Sequence, residues 1–286
     1  MTPSVNLHGV ALDAQGGVID LRLDSRRSLA VFGPAGSGKS ALLRVCAGLQ
    51  APARGRAELH GRVAYAAPDS AAKKKVPQDL AKAASGAGGA SRAAEALGAL
   101  GLWDLRRRQV SQLSPGQQAA CDLLGPLSSL ADVLVLDGLL DRLDPWAFRA
   151  TLDLVQKRVA QGAILVLATN RPELAARTDS LVVLKDRRVA FAGSFRELEL
   201  RAGTCELEVE THDQEGVRAL CEPFCVELRE SNGLLTIRAK DGQELAVKLL
   251  LEGYGDVRSV VLRSPTPAEL LERTLKGLAQ ADVAVR

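Results

Sequence analysis

Hydrophobic and polar residues alternate at the start of the chain, and a fully apolar run follows them. Residues 5–12 and 18–23 alternate as half-buried strands do, and residues 29–32 are apolar throughout. The next segment, residues 39–49, has apolar residues at helical spacing and includes Gly48, a residue type that commonly ends a helix. This pattern predicts an edge sheet, a buried strand, a loop and a helix, in that order.

Three further runs of mostly aliphatic residues occur at residues 131–137, 163–170 and 180–186, with helical stretches between them. Strands that alternate with helices in this way are typical of a parallel sheet that helices cover on both faces. Ahead of these runs, between Ser70 and Glu95, Ala, Gly, Ser and Lys predominate. That composition predicts a mobile loop or weak helix with little to bury.

From Glu206 onward the periodicities predict strand, helix, strand, strand, helix and strand, which is a βαββαβ unit of the ferredoxin-like kind. An amphipathic stretch after this unit predicts a final helix that packs on a neighbouring surface. We therefore predict an α/β domain over residues 1–202 with a helical subdomain at about 69–127, a small domain over residues 203–264, and a tail over residues 265–286.

Composition and charge narrow the classes of protein to which the chain can belong. It has five Phe, two Trp and two Tyr in 286 residues, so its core must be aliphatic. The net charge of +3 is too small to indicate nucleic-acid binding. No apolar run approaches the roughly 18 residues that span a bilayer, and no charged leader precedes an apolar stretch. The five cysteines include no Cys-x-x-Cys pair, which favours a reduced, cytosolic protein without disulfides or zinc.

Residues 33–40 match the Walker A pattern G-x-x-x-x-G-K-[ST] and lie between an apolar strand and a helix, the context in which this match has meaning. The glycines let successive backbone N–H groups point at the β- and γ-phosphates of a nucleotide, and the helix N-terminus adds partial positive charge. Lys39 is expected to bridge phosphate oxygens, and the Ser40 hydroxyl to bind Mg²⁺. The predicted nucleotide-binding residues are Gly33, Pro34, Ala35, Gly36, Ser37, Gly38, Lys39, Ser40 and Ala41.

A magnesium ion at this loop needs an acidic ligand on the adjacent strand. Asp137 ends the apolar run Val-Leu-Val-Leu and is the candidate for that ligand. A strand-terminal aspartate can instead cap a turn, but its pairing with a phosphate loop favours metal binding. The sequence therefore predicts Mg²⁺ bound by Ser40 and Asp137.

Three segments follow one another along the chain. They are the phosphate loop with its helix, Leu-Ser-Pro-Gly-Gln-Gln at residues 113–118, and Val-Leu-Val-Leu-Asp-Gly-Leu-Leu-Asp-Arg-Leu-Asp-Pro at residues 133–145. Over roughly residues 5–200 the chain resembles the nucleotide-binding subunits of ABC transporters. The segment at 113–118 is the specific element, because a phosphate loop alone occurs in many ATPase classes. The βαββαβ unit and its tail are similar to the C-terminal extension of type-two exporter ATPases. The resemblance implies a P-loop NTPase core of the ABC-ATPase type, with a short helical subdomain and a small ferredoxin-like domain.

In that family two subunits enclose two ATP molecules, and each ATP lies between the phosphate loop of one subunit and the signature loop of the other. The resemblance makes Ser114–Gln117 the signature loop of this chain and implies that Ser114, Gly116 and Gln117 approach the ATP of the partner. Pro115 replaces the usual first glycine, which the first turn of a helix tolerates. ATP and Mg²⁺ are the implied cofactors. The implied partners are a second ABC ATPase, in a homodimer or heterodimer, and a separate membrane permease at the cytoplasmic face of the membrane.

Several residues depart from the family pattern around the γ-phosphate. Gly138 replaces the glutamate that activates water, Asn170 replaces a histidine, and Asp69, a possible third metal ligand, lies near the usual glutamine position. A general base is worth about 10²–10⁴ in rate, so weak or absent hydrolysis is expected. No aromatic residue precedes Phe32, and adenine specificity should therefore be weak.

Two alternatives stay open from the sequence alone. The chain can be an active transport ATPase in which another residue, such as Asp141, replaces the missing base. It can also be a scaffold or regulatory module outside transport that uses ATP only as a conformational ligand. Leu143 and Asp144 match the family's inter-subunit loop, so the features that face a partner are better preserved than those for hydrolysis.

Overall fold

The computed structural model describes residues 2–13, 17–69, 73–86, 88–202, 204–231, 234–239, 242–252 and 257–283. The chain divides into two compact units, residues 1–195 with 275–286, and residues 196–274. Gly203, near which the sequence places a domain boundary, lies outside the described residues. The predicted boundaries after residues 202 and 264 stay a prediction.

The first unit contains two sheets and their covering helices. Its strands are β1 (Ser4–Ala11), β2 (Ile19–Asp24), β3 (Ser28–Phe32), β4 (Arg54–His60), β5 (Val63–Ala66), β6 (Val133–Asp137), β7 (Ile164–Thr169), β8 (Ser180–Lys185) and β9 (Arg188–Gly193). Its helices are α1 (Lys39–Cys46), α2 (Pro77–Ser85), α3 (Ala90–Ala99), α4 (Pro115–Ser128), α5 (Pro145–Ala160) and α6 (Pro172–Ala175).

The larger sheet has the strand order β5-β6-β7-β3-β8-β9. Its neighbouring strands pair in parallel from β5 to β8, and β9 pairs with β8 in antiparallel fashion. Every residue of β6 and β7 is buried, as expected of strands covered on both faces. The smaller sheet, β2-β1-β4, is antiparallel. The predicted parallel sheet and the predicted edge sheet are therefore both confirmed.

The core of the first unit lies between α1, the larger sheet and the smaller sheet. It is aliphatic, as the composition predicts, and includes fully buried side chains such as Leu7, Leu29, Leu42, Val135 and Val166. Burial of one such side chain contributes roughly 1.5–3 kcal/mol to folding. Because α1 packs its apolar face here, the loop that precedes it is held against the carboxyl end of the sheet.

The Ala-rich tract between Ser70 and Glu95 forms helices in its described part, and the expectation of a loop or weak helix with little to bury is wrong there. Helices α2 and α3 pack on each other and on α4. Their buried residues include Ala81, Ala93 and Ala96. Alanine has the highest helix propensity, and its small side chain lets helices approach closely, so an apolar periodicity based on large residues is not needed.

The second unit has its own sheet and core. Its central elements are β10 (Cys205–Thr211), α8 (Gln214–Cys221), β11 (Cys225–Ser231), β12 (Leu234–Ala239), α9 (Gly242–Glu252) and β13 (Val257–Arg263), and α7 (Phe195–Ala202) and α10 (Pro267–Val283) flank them in the chain. This is the order of elements that the sequence predicts. The sheet order is β11-β12-β10-β13, all antiparallel, and buried residues such as Leu207, Ile237 and Leu249 form the core. Of the helices described, none is long and apolar enough to cross a membrane.

Candidate functional site

The loop between β3 and α1 has the backbone geometry of a phosphate cradle. Gly33, Gly36 and Gly38 have φ angles of 156°, 79° and 100°, which glycine adopts without steric cost. A Cβ atom on Gly33 would lie 2.2 Å from the carbonyl oxygen of Leu184 in β8. Glycine is therefore required at Gly33 both for its conformation and for the close approach of the neighbouring strand.

Helix α1 begins at Lys39 without a side-chain cap and without an acidic residue in its first turn. The first N–H groups of a helix have no intrahelical acceptors, and the helix dipole places partial positive charge there. Ser40 and Ala41 belong to this first turn. The Ser37 hydroxyl, inside the loop, is buried and lacks a hydrogen-bond partner among the described residues. The loop and the helix start thus present several donors to an anion.

The Lys39 ammonium group lies inside the loop. Its Nζ atom donates hydrogen bonds to the carbonyl oxygens of Gly33, at 2.5 Å, and Pro34, at 2.8 Å. Burial lowers the pKa of Lys39, while the carboxylates of Asp137 and Asp141 act in the opposite direction. A partly buried ammonium held by neutral carbonyls gains a stronger, charged acceptor when a phosphate enters the loop.

A cleft of about 280 Å³ opens beside Lys39 at the carboxyl ends of the parallel strands. This edge of an open α/β sheet is where such folds bind ligands. The residues that line the cleft are Lys39, Ser40, Pro68, Asp137, Gly138, Asp141, Arg142, Thr169 and Asn170. The structure therefore brings together six residues that the sequence selected: Lys39, Ser40, Asp137, Gly138, Asp141 and Asn170.

The Asp137 carboxylate is nearly buried and accepts a 3.0 Å hydrogen bond from the Tyr65 hydroxyl. Burial raises the pKa of Tyr65, and the nearby Asp137 charge raises it further, so this phenol stays protonated and donates. Sequence reasoning missed Tyr65. No sequence signal pointed to it, because the contact depends on strand register: Tyr65 pairs with Val135 in parallel and so shares a face of the sheet with Asp137, two residues further on.

The donor set of the cleft fits a magnesium ion. Ser40 and Asp137 supply a hydroxyl and a carboxylate oxygen to the same space, and Mg²⁺ prefers such oxygen ligands. No group of three or more His, Cys, Asp or Glu residues able to hold a metal occurs in the described part of the chain. Mg²⁺ commonly needs no such group, since it binds one or two protein oxygens together with phosphates and water.

Asp69 does not join this donor set. Its carboxylate is largely exposed and lies 3.9 Å from the Lys73 ammonium, while its backbone N–H donates to the Asp122 carboxylate at 2.9 Å. The preceding residue, Pro68, lines the cleft in its place. The backbone anchoring turns the Asp69 side chain toward Lys73 and solvent, and the structure thus corrects the expectation that it is a third metal ligand.

Gly138 supplies no side chain to the cleft, and its backbone explains why glycine suits the position. Its φ angle is +66°, in the left-handed region that disfavours residues with a Cβ atom. A Cβ atom there would have no heavy atom within 4 Å, so the obstacle to a larger residue is conformational strain rather than lack of space.

Asp141 is fully engaged by the end of β7. Its Oδ1 atom accepts a hydrogen bond from the Thr169 hydroxyl at 2.7 Å, and its Oδ2 atom accepts one from the Asn170 backbone N–H at 2.6 Å. The Arg171 Nε atom lies 3.8 Å from Oδ1. Asp141 therefore clamps the loop after β6 to the end of β7. Each oxygen of this carboxylate therefore already accepts a hydrogen bond within the protein.

The signature loop begins α4 with a capping box. The Ser114 hydroxyl accepts a hydrogen bond from the Gln117 backbone N–H, and the Gln117 side chain accepts one from the Ser114 backbone N–H. Pro115 is the first residue of the helix, as the sequence predicts. A Cβ atom on Gly116 would lie 3.8 Å from the Arg142 carbonyl oxygen, so this loop lies beside the segment that follows β6.

The fold and the cleft define a P-loop nucleotide-binding protein. The sequence profile of the ABC transporter family matches residues 17–139. The zinc import ATP-binding protein ZnuC of Paramagnetospirillum magneticum is 32% identical over 200 residues, which cover 66% of this chain and 76% of that protein. The lipoprotein-releasing system ATP-binding protein LolD 1 of Rhodospirillum rubrum is 28% identical over 201 residues, which cover 60% of this chain and 88% of that protein. The chain belongs to the ABC transporter family of ATP-binding proteins.

Solved structures share the fold at low sequence identity. A bacterial Atm1-family ABC exporter with ATP bound superposes with a TM-score of 0.61 at 19% identity, covering 70% of this chain and 40% of the exporter chain. An ATP-binding subunit of an ABC transporter superposes with a TM-score of 0.59 at 20% identity, covering 69% of this chain and 92% of that subunit.

Proposed function

We propose that this chain is the ATP-binding subunit of an ABC transporter of the type-two exporter class, and that it hydrolyses ATP weakly or not at all at its own site. It binds Mg-ATP at residues 33–41 and dimerises on it. The observation that carries this proposal is a single cleft that joins Lys39, Ser40 and Asp137 while Gly138, at the position of the base, offers no side chain.

ATP binding follows from the donors that converge on the loop. The N–H groups of the loop and of the α1 N-terminus take up the charge of the β- and γ-phosphates, and Lys39 bridges them. A bound Mg²⁺ would neutralise part of the phosphate charge. Ser40 and Asp137 are the residues of this chain that hold it, and the Tyr65 hydroxyl orients the Asp137 carboxylate.

Weak hydrolysis follows from the absence of a base next to Asp137. Among the residues that line the cleft, the only carboxylate besides Asp137 is Asp141, whose oxygens already accept hydrogen bonds from Thr169 and Asn170. The Asn170 amide can donate a hydrogen bond to a phosphate oxygen but cannot carry charge. Loss of the base removes about 10²–10⁴ in rate.

The features that face a partner support action within a dimer. Ser114, Gly116 and Gln117 lie at the N-terminus of α4, where backbone donors and the helix dipole can meet the γ-phosphate held by a second ABC ATPase. In a heterodimer, the second subunit keeps its catalytic glutamate, and these residues of the present chain complete the site at which the second subunit hydrolyses ATP. In a homodimer, ATP binding alone drives dimerisation. Either dimer docks on a separate membrane permease and so lies at the cytoplasmic face of the membrane.

The export direction rests on the part of the chain that follows the ATPase fold. The second unit has a βαββαβ order followed by a helix. Its resemblance to the C-terminal extension of type-two exporter ATPases supports the proposed direction. The relatives named above act in different directions by their names, since one is a zinc import protein and the other belongs to a lipoprotein-releasing system.

The test is ATP affinity and turnover of the purified chain beside Lys39→Ala, with the exposed Lys82→Ala as the matched control. We expect the wild type and Lys82→Ala to bind Mg-ATP equally and to release little phosphate in a single turnover. Loss of charge-assisted hydrogen bonds worth about 1.5–3 kcal/mol should weaken binding by about 10- to 100-fold in Lys39→Ala. The proposal is overturned if the wild-type protein does not bind ATP at millimolar concentration. Steady phosphate release that Lys39→Ala abolishes overturns the impaired hydrolysis and favours the active ATPase.

A further inference from the structure

The turn between β8 and β9 contacts the phosphate loop. Asp186 and Arg187 form this turn with φ angles of 49° and 62°, as the two central residues of a type I′ hairpin do. The Arg187 backbone N–H donates a hydrogen bond to the Ser37 carbonyl oxygen at 3.1 Å. The hairpin therefore holds Arg187 at a fixed position beside the loop.

The side chain of Arg187 starts beside Gly38. A Cβ atom built on Gly38 would lie 3.1 Å from Leu12 Cδ1 and 3.5 Å from Arg187 Cγ. Neither Leu12 nor Arg187 lines the cleft that contains Asp137. The phosphate loop thus has two sides, one with the metal ligands and one with an aliphatic side chain and an arginine stem.

A nucleotide in the loop must place its nucleoside on one of these two sides. The cleft next to Lys39 and Ser40 contains the ligands for the terminal phosphates and the metal. The nucleoside consequently leaves the loop over Gly38, toward Leu12 and Arg187. Leu12 follows the last residue of β1, so the smaller sheet also reaches this side of the loop.

Arg187 is an unusual residue for its backbone conformation. A φ of +62° is unfavourable for a residue with a Cβ atom, and glycine would relieve that strain. The side chain is exposed, and in the described part of the chain it belongs to no ion pair. A strained residue that keeps a long, uncompensated cation beside a ligand loop indicates a ligand for that cation.

The sequence supplies the remaining constraint, because no Phe, Tyr or Trp precedes Phe32 to stack on a base from the smaller sheet. A guanidinium is planar and stacks on aromatic faces, and it needs no particular pattern of base hydrogen bonds to do so. We propose that Arg187 is a nucleotide-binding residue whose guanidinium lies on the face of the base, in place of an aromatic ring. This inference rests on the proposed function. It predicts similar affinities for ATP and GTP.

The test compares ATP, GTP and inorganic tripolyphosphate, each titrated calorimetrically with Mg²⁺ into the full chain. The variants are Arg187→Asn, which tolerates a left-handed φ, and Arg187→Lys, which keeps the charge without the planar group. The matched control is Arg26→Asn, because Arg26 has a φ of 67° in another turn and also carries an exposed cation. Thermal melts of all variants report whether each one is folded.

We expect Arg187→Asn to bind ATP and GTP about 3- to 30-fold more weakly while tripolyphosphate affinity and the melting temperature stay unchanged. Arg187→Lys should weaken ATP and GTP binding by most of the same factor, and Arg26→Asn should not change the affinity for either nucleotide. An unchanged ATP affinity in Arg187→Asn, or an equal loss in Arg26→Asn, overturns the inference. An equal loss for tripolyphosphate also overturns it, because the contact would then be to phosphate. A wild type that binds no ATP would instead indicate that the proposed function has failed.

Discussion

The Thr169 hydroxyl donates a 2.7 Å hydrogen bond to the Asp141 carboxylate, and this contact joins the end of β7 to the loop that follows β6. The two residues are 28 positions apart in the chain. This contact uses a carboxylate of the cleft to join two parts of the backbone, which supports our proposal that Asp141 does not act as a substitute base. This contact can be tested against Thr151, which is also buried but whose hydroxyl has no hydrogen-bond partner among the described residues.

Thr169→Val removes the hydrogen bond to the charged Asp141 carboxylate and also the one that the hydroxyl accepts from the Arg171 backbone N–H at 3.0 Å. It should lower the free energy of unfolding by at least about 1.5–3 kcal/mol, the value of a hydrogen bond to a charged group. Thr151→Val is the matched control, since Thr151 is fully buried but its hydroxyl has no partner among the described residues. Removal of an unsatisfied buried hydroxyl should be neutral or stabilising. Urea unfolding of both variants at neutral pH measures the difference. Equal losses would contradict the assigned role of Asp141 as a clamp.

Gly138→Glu should restore the chemistry at a cost in stability. The left-handed φ of Gly138 should cost any larger residue about 1–2 kcal/mol, although the space is open. Gly138→Gln carries the same strain without a base. We expect both variants to unfold at lower urea concentration, and only the glutamate variant to gain turnover, by about 10²–10⁴. Equal turnover in the two variants would show that a base at this position is not what the cleft lacks.

Ser114 caps α4, and we propose that it also approaches the ATP of a partner subunit; substitution can separate the two roles. Asn and Asp cap a helix as well as Ser does, so Ser114→Asn and Ser114→Asp should leave the stability within about 0.5 kcal/mol of the wild type. The added carboxylate would face the phosphate of a partner subunit and repel it. For the homodimer form, we expect Ser114→Asn to dimerise with Mg-ATP in sedimentation velocity and Ser114→Asp to stay monomeric. Dimerisation of the aspartate variant would exclude Ser114 from the interface with the partner's ATP.

Asp179 makes the stability of the first unit dependent on pH. Burial alone would raise the pKa of Asp179, but hydrogen bonds from the Ser28 hydroxyl and backbone N–H, with that from Arg27, outweigh it and hold the pKa below 3.8. A depressed folded-state pKa contributes stability above the unfolded-state value, and this stability is lost as the pH falls through the folded-state value.

Because Asp179 is exposed and solvent screens its charge, Asp179→Asn should destabilise the protein by only about 0.5–1 kcal/mol at pH 7, and the difference from the wild type should shrink as the pH falls below about 4. Asp153→Asn, at an exposed position on α5, is the matched control. Urea unfolding between pH 3 and 7 measures both variants. A constant difference at every pH would mean that the charge of Asp179 contributes nothing.

Much of the candidate site was accessible from the sequence because its signals are local. The phosphate loop is a contiguous pattern between a strand and a helix, and Asp137 ends an apolar run of strand length. The place of Gly138 next to Asp137 is also readable from the sequence, and its interpretation as a missing base stays a prediction. The Ala-rich tract misled the prediction because helix propensity and close packing of small residues leave no strong apolar periodicity.

The sequence by itself determined most of the strands, the phosphate loop and the βαββαβ order, since strand and helix periodicities and glycine positions act over a few residues. The tertiary structure decided which distant residues meet: Tyr65 with Asp137, Thr169 with Asp141, and Arg187 with Gly38. Strand order and strand register determine these contacts, and the periodicity of a single segment contains no information about either. Backbone anchoring likewise turned Asp69 away from the cleft, because a side chain follows the local φ and hydrogen bonds that the folded chain imposes.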